Sequence, residues 1–221
     1  MVNAIATPLG VLLRYIFNIV NNYGVSIVIF TIIVKLFLLP LTLKQSQSMK
    51  KMQELSPKLK ELQRKYGKDK QKLNEKTIEL YKEHNVNPAS GCLPLLVQLP
   101  ILIALFQVLR LPEVYVFTPE TYQMVEKSFL WLKDLSKPDN LYILPVLAAS
   151  TTYLQSKMMS TGNADNPTQN SMNIIMPLMI GWFSIKFPSG LALYWVLSNV
   201  FQIVQQYFIM RPRKVVKEES N

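Results

Sequence analysis

A single cysteine, Cys92, and a single histidine, His84, occur in the chain's 221 residues. One cysteine excludes an intramolecular disulfide and any multi-cysteine metal site. One histidine argues against a histidine-built metal centre or proton relay. There is no Gly-x-Ser-x-Gly, no paired carboxylate motif and no phosphate-cradling glycine loop. Gly91-Cys92 has no base beside it in sequence, so it is a poor nucleophile site. These absences speak against an enzyme and imply no cofactor. Acidic residues are scarce too: 14 Asp and Glu stand against 24 Lys and Arg.

What is present is segregated. Apolar residues gather in long blocks and charges gather between them. Four blocks approach the ~20 residues that a bilayer-crossing helix needs, 23–43, 91–111, 139–159 and 190–210, and a fifth, 171–187, is shorter and less clean. A soluble core helix keeps one polar face, and most of these blocks have none. The expected fold is therefore an all-α membrane protein with five transmembrane helices. Before the first span, Leu9, Leu12, Leu13, Ile16, Phe17 and Val20 recur at helical spacing, interrupted by Arg14, Asn18 and Asn21. No basic region precedes them and no clear cleavage site follows, so residues 1–22 read as an amphipathic interfacial helix rather than a signal peptide.

Charge sets the orientation. Residues 44–84 hold 12 Lys/Arg against 6 Asp/Glu, and the tail 211–221 adds Arg211, Arg213, Lys214 and Lys217. Residues 110–140 hold 4 Lys/Arg against 5 Asp/Glu. Basic segments stay in the cytoplasm. The expected topology in the plasma membrane has the N-terminus outside, 44–90 inside, the loop 112–138 outside, the loop 160–170 inside and the tail inside.

The segment 44–90 is helical in pattern. Met49, Met52, Leu55, Leu59, Leu62 and Tyr66 step by three or four. Ser56-Pro57 reads as an N-cap followed by proline at the first helical position. Residues 66–69 make a turn, and a second helix carrying Leu73, Thr77, Leu80 and Tyr81 ends at Asn87-Pro88. This predicts a cytoplasmic helical hairpin rich in cations, among them Lys50, Lys51, Lys58, Lys60, Arg64 and Lys65. Three readings stay open: a solvated helix pair, a docking face for acidic lipid head groups, or one for the ribosome and emerging chains. Nothing resembles a base-reading motif, so specific DNA binding is not expected.

The sharpest feature is "TIIVKLFLLPLT", in which Lys35 stands inside an apolar run. Intramembrane charges are rare and face protein or water. Lys35 and Lys44 are nine residues apart, or about 13 Å along a helix, too far for snorkelling alone to hydrate the amine. No Asp or Glu lies in the apolar runs of these blocks, 23–43, 92–111, 141–159, 174–187 and 191–210. Water or a transient ligand must therefore satisfy it. Thr31 lies one turn earlier on the same face. Asn199 and Gln202, three apart in the last block, share a face and are expected beside Lys35 in a polar cavity. Elsewhere Gln98, Gln107, Ser150, Thr151, Thr152 and Gln155 are expected to make interhelical hydrogen bonds. Pro40, Pro94, Pro100 and Pro177 are expected to bend spans and open gaps.

Four stretches carry a resemblance: "TIIVKLFLLPLT", "KYGKDKQKLNEKTIELYKEHNVNPASGCLPLLVQLPILIALF", "FLWLKDLSKPDNLYILPVL" and "FPSGLALYWVLSNVFQIVQQ". They resemble the YidC-type membrane protein insertases of bacteria, mitochondria and chloroplasts, in that family's order, and in the short form without a large extracytoplasmic domain. The resemblance implies five spans around a hydrophilic groove, open to cytoplasm and lipid and closed outside. It places Lys35 where the family usually has an arginine, and lysine keeps the charge but not the planar fork that grips a carboxylate. It places Thr31, Gln98, Leu102 and Trp195 at groove or substrate-contact positions. The implied function is insertion and chaperoning of nascent membrane proteins without nucleotide hydrolysis. The implied partners are clients with acidic translocated tails, the ribosome, a Sec-type translocon and membrane lipids. The alternative is an ion-coupled transporter or channel subunit, which would require the titratable carboxylates or repeats that the chain lacks.

Overall fold

A computed structural model describes residues 2–86, 93–159 and 167–210. Among them the secondary structure is helical, with one isolated bridge between Phe129 and Leu132. The elements are α1 (Val2–Val20), α2 (Tyr23–Glu54), α3 (Ser56–Tyr66), α4 (Lys70–Glu83), α5 (Leu93–Arg110), α6 (Pro112–Tyr115), α7 (Pro119–Met124), α8 (Ile143–Met159), α9 (Pro167–Lys186) and α10 (Ser189–Met210).

Helix α2 has 32 residues, about 48 Å at the helical rise. It begins at Asn22, whose side-chain oxygen accepts from Val25 N at 2.9 Å, satisfying one of the orphan donors of a first turn. Its buried stripe, Tyr23, Ile27, Phe30, Thr31 and Val34, repeats at helical spacing. The opposite face exposes Ile32, Ile33, Leu36 and Phe37, an arrangement suited to lipid. The helix runs through Pro40 unbroken and continues to Glu54. Residues 44–54 therefore belong to α2, and the hairpin proper is α3 and α4. Among the described residues two helices, α1 and α2, are by length and composition long and apolar enough to cross a membrane.

The break after Glu54 falls where Ser56-Pro57 predicted it, but Leu55 is the capping residue and no side chain caps α3. The turn at 67–69 is present, with Asp69 accepting from Lys72 N at 3.1 Å. Helix α4 ends at Glu83, before the expected Asn87-Pro88, because Asn85 adopts the left-handed conformation (φ 50°) that stops helices. Asn87-Pro88 lies outside the described residues.

Two pairs fix how α2 and α10 run. A Cβ at Gly190 would lie 3.3 Å from Ile27 Cδ1, and Thr42 Oγ1 donates to Gln205 Oε1 at 3.1 Å. Both pairs are separated by 163 residues, so the helices are parallel in constant register. Helices α8 and α10 are parallel too: Thr152 meets Asn199 and Gln155 meets Gln202 at one separation of 47 residues. Gly181 of α9 lies against Ala149 and Pro145 of α8, small residues that let backbones approach closely.

Residues 111–142 cover the ends at which α2, α8 and α10 begin. Ser189 N donates to Lys137 O at 2.8 Å and Gly190 N to Leu135 O at 2.9 Å. A Cβ at Gly24 would collide with the Phe129 ring at 2.3 Å. Buried Asp139 caps α8, accepting from Leu144 N at 2.7 Å and Leu141 N at 3.0 Å. At the other end Met49, Met52, Leu55 and Val86 form a second apolar cluster, against which Tyr81 and Met159 pack.

Candidate functional site

Lys35 is 2 % exposed. It stands one turn after Thr31 on the buried stripe of α2, so it faces the protein interior and not lipid. Among the described residues no hydrogen bond and no ion pair reaches its amine. Thr31 is also buried, and its Oγ1 donates to Ile27 O at 2.6 Å, a local bond that bends helices slightly. The constant register of α2 against α10 puts Lys35 level with Ser198, beside Asn199.

The sequence places Asn199 and Gln202 on one face, where they are expected to line a polar cavity beside Lys35. They turn to α8 instead. Trp195 Nε1 donates to Thr152 Oγ1 at 2.9 Å. Asn199 lies 2.9 Å from Thr152 Oγ1 and 3.1 Å from Thr151 Oγ1. Its amide is satisfied at both ends when its oxygen faces these hydroxyls and Trp195 Nε1, and its nitrogen donates to Gln155 Oε1 at 2.8 Å. Gln155 Nε2 in turn donates to Gln202 Oε1. The result is one polar seam running Trp195, Thr152, Asn199, Gln155, Gln202 between two parallel helices. The physical reason is simple: buried amides take the nearest partners that complete their bonds, and α8 offers hydroxyls at matching spacing. Thr151, Thr152 and Gln155 were recognised as polar but not as members of the site. Their spacing of three and four, mirrored by Asn199 and Gln202, is the signal that could have joined them.

Leu102 is half-buried against the main core. Gln98 stands in α5, and its side chain lies outside those described. Of the predicted hairpin cations, two are engaged internally. Lys50 Nζ donates to Ile209 O at 3.2 Å, near the C-terminus of α10, where a cation is favoured by the helix dipole. Lys58 Nζ lies 2.7 Å from His84 Nε2, joining α3 to the end of α4. Lys51, Lys60, Arg64 and Lys65 are exposed. Gln53 Nε2 donates to Met158 O at 2.9 Å, so the far end of α2 holds the ends of both α8 and α10. No group of three or more potential metal ligands occurs among the described residues.

The described helices thus bury one lysine level with a seam of neutral amides, and relatives of this chain define the class of protein it belongs to. The family model described as 60Kd inner membrane protein matches residues 15–218. A membrane protein insertase YidC of Caldanaerobacter subterraneus subsp. tengcongensis is 48% identical over 217 residues, covering 98% of either chain. That of Fusobacterium nucleatum is 47% identical over 209 residues, covering 95% of this chain and 96% of its own. The membrane protein insertase MisCA of Bacillus subtilis is 42% identical over 211 residues, covering 93% of this chain and 77% of its own. A crystal structure titled active YidC insertase, with the first transmembrane domain resolved, is 31% identical with a TM-score of 0.70, covering 93% of this chain and 46% of that one. The chain belongs to the YidC family of membrane protein insertases, and the resemblance in its sequence motifs is confirmed.

Proposed function

We propose that this chain inserts nascent membrane proteins into the bilayer and assists their folding, without nucleotide hydrolysis. Helices α2, α5, α8, α9 and α10 cross the membrane. Helices α2, α8 and α10 run inward and share one direction, as their registers require. Helices α5 and α9 run outward. Helix α1 lies in the outer interface: its contacts at Asn3, Gly10 and Phe17 converge on Tyr115 and Phe117, at the far end of α5. The basic hairpin and tail face the cytoplasm.

The observation that carries the reading is Lys35, buried in the interior with no carboxylate to neutralise it. A charge so placed costs several kcal/mol unless water or a ligand satisfies it. A groove at Lys35 that admits water and a client's acidic tail meets that need. The tail then meets water and a cation in place of hydrocarbon, and the client's apolar segment leaves sideways into lipid, driven by burial of its own surface. Thr31, Leu102 and Trp195 line the path; Asn199 and Gln202 hold its wall. The outward cations Lys51, Lys60, Arg64 and Lys65 form the face presented to the ribosome and to acidic head groups.

The test is insertion of a single-span client with an acidic tail into proteoliposomes. Lys35→Arg retains insertion, while Lys35→Ala and Lys35→Glu lose it, with Lys35→Glu the more severe. Wild-type insertion by Lys35→Ala refutes the charge-attraction mechanism.

A further inference from the structure

The outer loop contains a turn built from the wrong residues. Phe129 and Leu132 exchange both backbone bonds, Phe129 N to Leu132 O at 2.8 Å and Leu132 N to Phe129 O at 2.9 Å. Leu130 and Trp131 are therefore the two tip residues of a tight hairpin. Leu130 has φ 53°, a conformation that turns normally give to Gly, Asn or Asp. It is also 75% exposed. Twelve residues on, Tyr142 repeats both features, with φ 57° and 55% exposure, next to exposed Leu141. Large apolar residues held in strained backbone and turned outward satisfy neither folding nor water. Such strain points to a function at the tip.

We propose that Leu130, Trp131, Leu141 and Tyr142 form an anchor that inserts into the outer leaflet at the boundary between head groups and acyl chains. This rests on the reading that α8 crosses the bilayer. Three observations favour lipid over a protein partner. The patch continues without a break into the exposed face of α8, through Ile143 and Val146. Its aromatic residues are the two types that prefer the membrane interface. The Trp131 indole Nε1 already donates to buried Asp139 Oδ2 at 3.5 Å, so its polar edge faces protein and the 37% of the residue left exposed can meet acyl chains. Asp139 caps α8, so the anchor and the start of that helix move as one unit.

The experiment uses the full chain with Cys92→Ser in vesicles of phosphatidylethanolamine and phosphatidylglycerol. An environment-sensitive fluorophore is attached in turn at Leu130→Cys, Tyr142→Cys, Val146→Cys and Lys137→Cys, and is quenched by aqueous iodide or by spin-labelled lipids of graded depth. Leu130 and Tyr142 are expected to be shielded from iodide and quenched best by shallow labels. Val146 is quenched best by deep labels, and Lys137 by iodide. Iodide quenching of Leu130 and Tyr142 equal to that of Lys137, with Val146 still in lipid, overturns the anchor alone. Iodide quenching of Val146 as well overturns the α8 span and the anchor with it.

Discussion

Thr152→Val deletes one hydroxyl and leaves the side chain's shape, so its cost measures the polar seam directly. The Thr152 oxygen receives the Trp195 indole at 2.9 Å and meets the Asn199 amide at 2.9 Å. Interhelical hydrogen bonds in membrane proteins average about 0.6 kcal/mol and reach about 1.7. Losing two gives about 1–3 kcal/mol, the upper part of the range because Asn199 is 4% exposed and a buried amide left short of a partner is costly. Thr151→Val loses a single interhelical bond, at 3.1 Å, and should cost about 0.6 kcal/mol. Unfolding in mixed micelles, followed by tryptophan fluorescence as denaturing detergent is raised, gives both values. A double-mutant cycle with Asn199→Leu isolates the coupling. Coupling below about 0.3 kcal/mol would mean that packing alone joins α8 to α10, and the seam would have no structural role.

Further outcomes follow from other contacts. Lys50→Met removes the cap on Ile209 O; hydrogen exchange at the end of α10 should rise, with a loss of about 0.5–1.5 kcal/mol, while insertion at saturating client is unchanged. Gly10→Ala places a methyl 2.3 Å from the Tyr115 carbonyl oxygen, so α1 must separate from α6; a loss of about 1–3 kcal/mol should appear as a lower thermal midpoint. For Asp134, partial burial pushes the carboxyl up, but hydrogen bonds from Ser136 and the charges of Lys127 and Lys137 outweigh it and hold it below its ordinary value. Its contribution is therefore complete above the ordinary carboxylate value of about 3.9 and is lost as pH falls through the depressed one. Limited proteolysis within residues 111–142 should show this acid step in the wild type, and Asp134→Asn should abolish it.

Much of the fold was legible because bilayers impose simple rules. Long apolar blocks and the absence of carboxylates from their apolar runs announced a helical membrane protein and singled out Lys35. The turn at 67–69 and the break at Ser56-Pro57 were legible from local backbone chemistry. Partner choice was not. Asn199 and Gln202 read as groove amides, yet which neighbour a buried amide selects depends on register between helices, and register leaves no mark in a single segment. The same holds for Lys50, which reads as one more solvated cation and instead closes the end of α10. The left-handed residues Leu130 and Tyr142 were invisible, since their types argue against the backbone they adopt.

Pro40 carries a mechanical consequence. Proline offers no N–H, so the carbonyl of Leu36, one turn before it, lacks its usual helical partner. The missing rung divides α2 into an upper shaft, which holds Lys35 level with Ser198, and a lower arm, which grips α8 through Gln53 and α10 through Lys50. Such a helix bends at the gap more readily than elsewhere. A load on the hairpin would swing the lower arm and pull on the ends of two other helices while the buried cation kept its place. The chain thus has a joint between the arm that carries the hairpin and the shaft that holds the charge.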